Sequence, residues 1–222
     1  MKSTLLTLLA LTLLSSTALA EDKKPDTGIV VDKEKKTVTI PAKIAPRKIN
    51  DPRYTEIYPI EVIATAAFPK GQKAHETVVT IDVRPSDVHK ALEDIGLKPG
   101  KPATPDAPAT GDAVKISLEL PGGKTIAIEK ALVDKKTGKA MPALKWKFTG
   151  SAMQQPDPNK PDKIYGADNS HTLICVFPVT DMTVIQTDLK AEDSGLLKME
   201  TNKSALPPEG TDVKLVISAV GK

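Results

Sequence analysis

His75, Glu76 and His89 are the residues of this chain whose types could do chemistry together. Two imidazoles and a carboxylate suit a zinc-type divalent metal site that keeps one coordination position open. His75 and Glu76 close a loop containing Pro69, Gly71 and two lysines, just before a β-branched run. His89 follows that run inside a helical pattern. A strand leading directly into a helix can bring both histidines to one sheet edge. The spacing itself is unlike His-Glu-x-x-His, in which one helix face presents both nitrogens. A structural role explains each residue singly: His75 and Glu76 bind loop backbone and fix entry into the strand, and His89 at the third helical position folds back on the helix cap. The structural reading is preferred.

Other chemistries lack their motifs. There is no Gly-x-Ser-x-Gly elbow, and Gly150-Ser151 reads as a turn. Gly122-Gly123 makes a hairpin turn, without the Gly-Lys-Ser/Thr of a phosphate loop. Cys175 is the only cysteine, so neither an internal disulfide nor an iron–sulfur cluster held by several cysteines of the chain can form. It lies in the apolar run Leu173-Ile174-Cys175-Val176-Phe177 and reads as an inert, buried thiol. Three Phe, three Tyr and one Trp are too few for a base-stacking platform, and Trp146 reads as a core anchor.

The first twenty residues predict a secretory signal. Lys2 supplies the positive start, residues 5–14 an apolar run, and Ala18-Leu19-Ala20 the cleavage pattern, with cleavage after Ala20. The protein is therefore expected outside the cytoplasm, in the periplasm or beyond the cell. No cysteine follows the cleavage point to carry a lipid. Of 31 basic and 28 acidic residues, removal of the signal takes one lysine, leaving 30 against 28 and a net charge of +2. That balance argues against nucleic acid as a partner. No later segment is apolar enough to span a membrane. An envelope protein or a small ligand is the partner expected.

The elements that must position the three residues are mostly strands. Residues 21–28 read as a flexible tail, and residues 29–32 and 37–40 as a hairpin around four charged residues. Further strands are expected at 60–66, 77–83, 114–120, 125–128, 144–149, 171–177 and 213–220. One helix is secure, near 87–95. Ser86 reads as its N-cap, Val88, Ala91, Leu92 and Ile95 as its apolar stripe, and Gly96 as its stop. Proline-rich loops are expected at 98–112 and 154–163. Strands joined by turns predict a single α+β or mostly β domain over 29–220, built on an antiparallel sheet in a two-layer sandwich.

Three stretches carry a family likeness: Lys73-Ala74-His75-Glu76-Thr77-Val78, Arg84-Pro85-Ser86-Asp87-Val88-His89-Lys90-Ala91-Leu92 and Gly96-Leu97-Lys98-Pro99-Gly100. The likeness continues through Trp146-Lys147-Phe148-Thr149-Gly150-Ser151 to Leu206-Pro207-Pro208-Glu209-Gly210. In these the chain resembles the YdjY-domain family of exported, largely uncharacterised bacterial proteins. The resemblance singles out His75, Glu76, Ser86 and His89 as a recurring set. It implies no cofactor here, since the ferredoxin-like label some relatives carry does not fit a chain with Cys175 alone. The function expected is that of a non-catalytic binding or interaction module, with a metal-dependent site on His75, Glu76 and His89 as the alternative.

Overall fold

The computed structural model describes residues 27–221. The predicted signal peptide and most of the predicted N-terminal tail lie outside the described residues. Eight strands close on themselves: β1 (Thr37–Ile44), β2 (Val62–Ala66), β3 (Thr77–Ile81), β4 (Ala113–Glu119), β5 (Trp146–Phe148), β6 (Thr172–Cys175), β7 (Ile185–Thr187) and β8 (Asp212–Ala219). Neighbours run β1-β8-β4-β5-β7-β6-β2-β3, and β3 pairs again with β1. The expected two-layer sandwich is therefore wrong: the sheet is a closed barrel, accompanied by three short helices.

Closure depends on β1, whose eight residues use both edges. One edge pairs with β8 from Thr37 to Lys43. The other is shared: Thr37, Val38 and Thr39 take the hairpin arm Val30–Asp32, and Ala42, Lys43 and Ile44 take β3. Pro41 falls at the handover, where a residue without an N–H does least harm to the ladders. Expecting only antiparallel pairs was also too simple, since β2 runs parallel to β3 and β6 parallel to β7.

Two kinds of strand make the wall. β1, β4 and β8 alternate buried and exposed residues and have one solvated face. β2 and β6 are buried at every position, as strands covered on both faces must be. The interior is filled by side chains, Ile40, Leu118, Trp146, Phe148, Leu215 and Ile217 among the buried ones, as eight strands allow. Trp146 also donates to Glu129 Oε1 at 2.8 Å, which satisfies its buried indole N–H.

Helix α1 (Pro85–Asp94) leaves the end of β3 and buries Val88, Ala91 and Leu92. Full burial of two such side chains as Val88 and Leu92 contributes about 1.5–3 kcal/mol each. Its stop has the predicted form. Gly96, at φ 90°, donates to Glu93 O at 2.8 Å, and Leu97 donates to Leu92 O at 3.1 Å. Its start does not: the helix begins at Pro85, and Ser86 lies inside the first turn with no capping bond of its own. The carboxylate comes from α2 (Gly166–Ser170) instead. Asp168 accepts from Ser86 N at 2.8 Å and from Ser86 Oγ at 2.6 Å, filling an orphan amide of the helix end. Asp168→Ala is expected to cost about 1–2 kcal/mol, the upper range for a lost cap, read as a fall in the thermal midpoint.

β7 was not foreseen. Its Gln186 and Thr187 are fully buried and interrupt the apolar pattern. Gln186 is satisfied by Thr180 O at 2.7 Å and by the amide of Ala103 at 2.9 Å, so the loop at 98–112 packs on this strand.

Candidate functional site

Two sets of ionisable side chains form, one at each end of the barrel. The first gathers where β2 and β3 begin. Their parallel pairing sets Glu61 beside Glu76, with Glu61 N donating to Glu76 O at 3.1 Å. The helical turn Ala74–Glu76 feeds β3, and Lys73 just before it reaches back. Its Nζ lies 2.5 Å from Glu76 Oε1 and 3.8 Å from Glu61 Oε2. Glu76 is only 5 % exposed, so the ammonium supplies the counter-charge its burial demands. Burial raises the Glu61 carboxyl above its ordinary range, and the Glu76 charge adds to this. For Lys73 burial opposes the charged form, but the bond to Glu76 and the charges of Glu76 and Glu61 together outweigh it, and the ammonium is held more firmly than usual.

His75 packs among rings. It stacks on Tyr54 with centroids 4.4 Å apart and meets Tyr58 edge-on at 4.9 Å. Nε2 is 3.9 Å from Glu76 Oε1, and its carbonyl accepts from Arg47 Nη1 at 3.4 Å. Arg47, buried, donates from Nε to Glu200 Oε1 at 2.7 Å, from Nη2 to Glu200 Oε2 at 3.3 Å, and from Nη2 to the Tyr58 carbonyl. Burial alone would raise the Glu200 carboxyl, yet the bonds from Arg47 and Thr201 bring it below its ordinary range. This one guanidinium ties together the loop after β1, the Tyr58 segment, the turn at His75 and the segment at Glu200.

The second set lies between α1 and α2. His89 is the fifth residue of α1 and turns away from the cap rather than toward it. Its Nδ1 is 2.7 Å from the Tyr165 hydroxyl, which accepts the Ser151 amide at 3.2 Å. Nε2 lies 3.7 Å from Glu93 Oε1, a carboxylate that favours the imidazole proton on that nitrogen and with it the hydroxyl as donor to Nδ1. The ring also meets Phe148 edge-on at 4.9 Å. Burial raises the Tyr165 phenol well above its ordinary range, which keeps the hydroxyl protonated.

The structure therefore does not bring His75 and His89 together. β3 runs between them, and five extended residues span about 16 Å. Among the described residues no group of three or more His, Cys, Asp or Glu is placed to hold a metal ion. His171 adopts a left-handed conformation at the end of α2, and its carbonyl accepts from Ala66 N at 2.9 Å and Thr65 Oγ1 at 2.7 Å. Cys175 is fully buried, which pushes its thiol up to about 12. Arg47, Glu61, Tyr165, Asp168 and Glu200 escaped sequence reasoning. Arg47 and Glu200 are 153 residues apart, and no local pattern links them.

Burial holds both His75 and His89 below the ordinary imidazole value of 6.5, with Lys73 adding to the shift at His75 and Glu93 opposing it at His89. The folded chain then binds fewer protons than the unfolded chain below pH 6.5. Their contribution is complete above that pH and is lost as pH falls toward the depressed folded values. Glu61 works the other way: its raised value favours the fold at low pH and loses that effect as pH rises through it. Urea midpoints are expected to fall between about pH 7.5 and about pH 5.5, and the double variant His75→Phe/His89→Gln is expected to flatten that slope.

A third feature lies on the side wall. A groove of about 700 Å³ runs between the segment Thr27–Gly28–Val30 and the loop Phe68–Pro69–Lys70, over the outer side of β1, β3 and β8. Pro41, Val83 and Phe68 give it an apolar lining, and Lys43, Lys70, Lys214, Asp82 and Asp212 stand along it.

These features define a small closed β-barrel braced by charge clusters, with a groove on its wall. A family profile described as YdjY domain matches residues 29–218, and the chain belongs to that family. Comparison with curated proteins and with solved structures finds no match. Among the described residues no helix is long and apolar enough to cross a membrane.

Proposed function

We propose that this chain is an exported, non-catalytic envelope module that binds a partner through the side-wall groove. The groove is the observation that carries this reading: it is concave and largely apolar with a few polar groups at its margins, the usual character of a binding surface. The ionisable sets support it from the other side, because Lys73, Glu76, Arg47, His89 and Asp168 each engage a neighbour that holds part of the fold. The signal-like N-terminus supports the envelope as its place of action.

Val30 is 61 % exposed on the groove margin, so Val30→Glu adds charge there without touching the core. The mature chain is expected to retain a partner from native envelope extract, and Val30→Glu to lose it at unchanged thermal midpoint. Turnover of a hydrolase substrate by the mature chain, abolished in a folded His75→Ala variant, would overturn the proposal.

A further inference from the structure

We propose that the groove takes the acyl chain of an envelope lipid, with the polar head left in solvent; this rests on the reading of the groove as the binding surface. Its charges point to an uncharged occupant. Among the described residues the charged side chains that line it are already paired. Lys43 meets Asp212 at 2.9 Å, Lys214 meets Glu119 at 2.7 Å, and Lys70 meets Asp82 at 3.7 Å. Neither sign is left over to attract a charged ligand. Between the pairs the groove presents Val30, Pro41, Phe68 and Val83.

The backbone points the same way. On one edge of β1 the hairpin arm takes Thr37, Val38 and Thr39, and β3 takes Ala42, Lys43 and Ile44. Ile40 and Pro41 lie between, and Pro41 has no N–H to offer a partner strand. Gly28 crosses this gap so closely that a Cβ on it would lie 3.0 Å from Pro41 Cγ. The arm itself is a three-residue strand, and only alternate residues turn their N–H and C=O groups to its outer edge. A peptide laid here would leave most of its backbone unpaired. A hydrocarbon chain makes no such demand and gains from every apolar contact.

Size argues for a small occupant. A stable protein–protein interface buries about 800 Å² on each partner, well beyond the surface of this groove. Its volume of about 700 Å³ lies within the range of small-ligand sites, about 300–1,000 Å³. The lining reaches from Thr39 to Lys43, about 13 Å along β1. An extended chain of about ten methylenes has that length.

The test is isothermal titration of the full mature chain with hexyl, octyl, decyl and dodecyl maltoside, each below its micelle-forming concentration. Full burial of a methylene would tighten binding about fourfold; a groove open on one side is expected to give about twofold per methylene, levelling off near decyl. Dodecanoate and dodecylammonium are expected to bind within about threefold of each other, because the paired margin favours neither head. Ala67 is exposed on the groove, and Ala67→Glu is expected to weaken decyl maltoside about tenfold or more at an unchanged thermal midpoint. No binding, an affinity indifferent to chain length, or chain binding that Ala67→Glu leaves intact overturns the lipid assignment. A strong preference for one head overturns it too, since charge would then be what is recognised. Those outcomes leave the groove itself as the binding surface wherever Ala67→Glu still loses the envelope partner. If Ala67→Glu leaves retention of that partner unchanged, the groove reading fails instead.

Discussion

Arg47→Ala is expected to lower the stability of the fold by about 3–5 kcal/mol, the range for breaking a buried ion pair by removing one partner. The side chain of Arg47 is 7 % exposed and that of Glu200 21 %, so solvent cannot replace what the guanidinium supplies. The loss strands a carboxylate and two carbonyls, those of Tyr58 and His75. Its effect should spread to the aromatic stack, because the Arg47 bond fixes the His75 backbone under Tyr54. The double variant Arg47→Met/Glu200→Met removes both charges and is expected to recover part of the stability, since no charge is left unpaired although the Tyr58 and His75 carbonyls still lose the guanidinium. Urea unfolding followed by the single tryptophan, Trp146, measures both. A loss under about 1 kcal/mol for Arg47→Ala would place the pair among exposed bridges and contradict this account.

The second large effect comes from a backbone approach. Gly111 has φ 124°, a conformation that costs side-chain-bearing residues about 1–3 kcal/mol. A Cβ there would also lie 1.9 Å from the Phe148 carbonyl oxygen, inside any allowed contact. That oxygen accepts from Gly100 N at 2.9 Å, and Phe148 N donates to Asp112 O at 2.9 Å, so the two ends of the loop at 98–112 are clamped onto the end of β5. Gly111→Ala must push the clamp apart. Strain and the two weakened bonds, each worth about 1 kcal/mol, predict a loss of about 3 kcal/mol or more. Amide exchange should quicken at Gly100 and Phe148 before the rest of the barrel opens. A near-neutral Gly111→Ala would mean that the loop is not clamped as described.

Local order was legible in the sequence wherever one residue's environment is set by its near neighbours. The alternation of β1, β4 and β8, the apolar stripe of α1 and the stop at Gly96 all follow from period and propensity. Closure was not legible, because it depends on Ala42, Lys43 and Ile44 pairing with a strand some forty residues away while Thr37–Thr39 pair with another. An alternating strand looks the same at the edge of a sandwich and in the wall of a barrel. β7 escaped for a different reason: Gln186 looks like a surface residue until Ala103 and Thr180 are seen to satisfy it.

The candidate site divides in the same way. His75 and Glu76 do share a neighbourhood with Lys73, as nearness in sequence suggested. His89 belongs to the other end, since β3 carries the chain across the barrel between them. The capping role assigned to Ser86 passed to Asp168, 82 residues away, and the partner of His89 proved to be Tyr165, 76 residues away. Such contacts have no local signature. The groove depends on five separate segments meeting, and for that reason it too was invisible before the fold.

Retention of an envelope partner by His75→Phe and by Ala67→Glu, measured side by side on chains of equal thermal stability, tests the division of labour most directly. Phenylalanine keeps the ring that packs on Tyr54 and Tyr58, while Ala67 is exposed on the groove. The account predicts wild-type retention by His75→Phe and loss by Ala67→Glu. Loss by His75→Phe with retention by Ala67→Glu would place binding at the base of the barrel and contradict it.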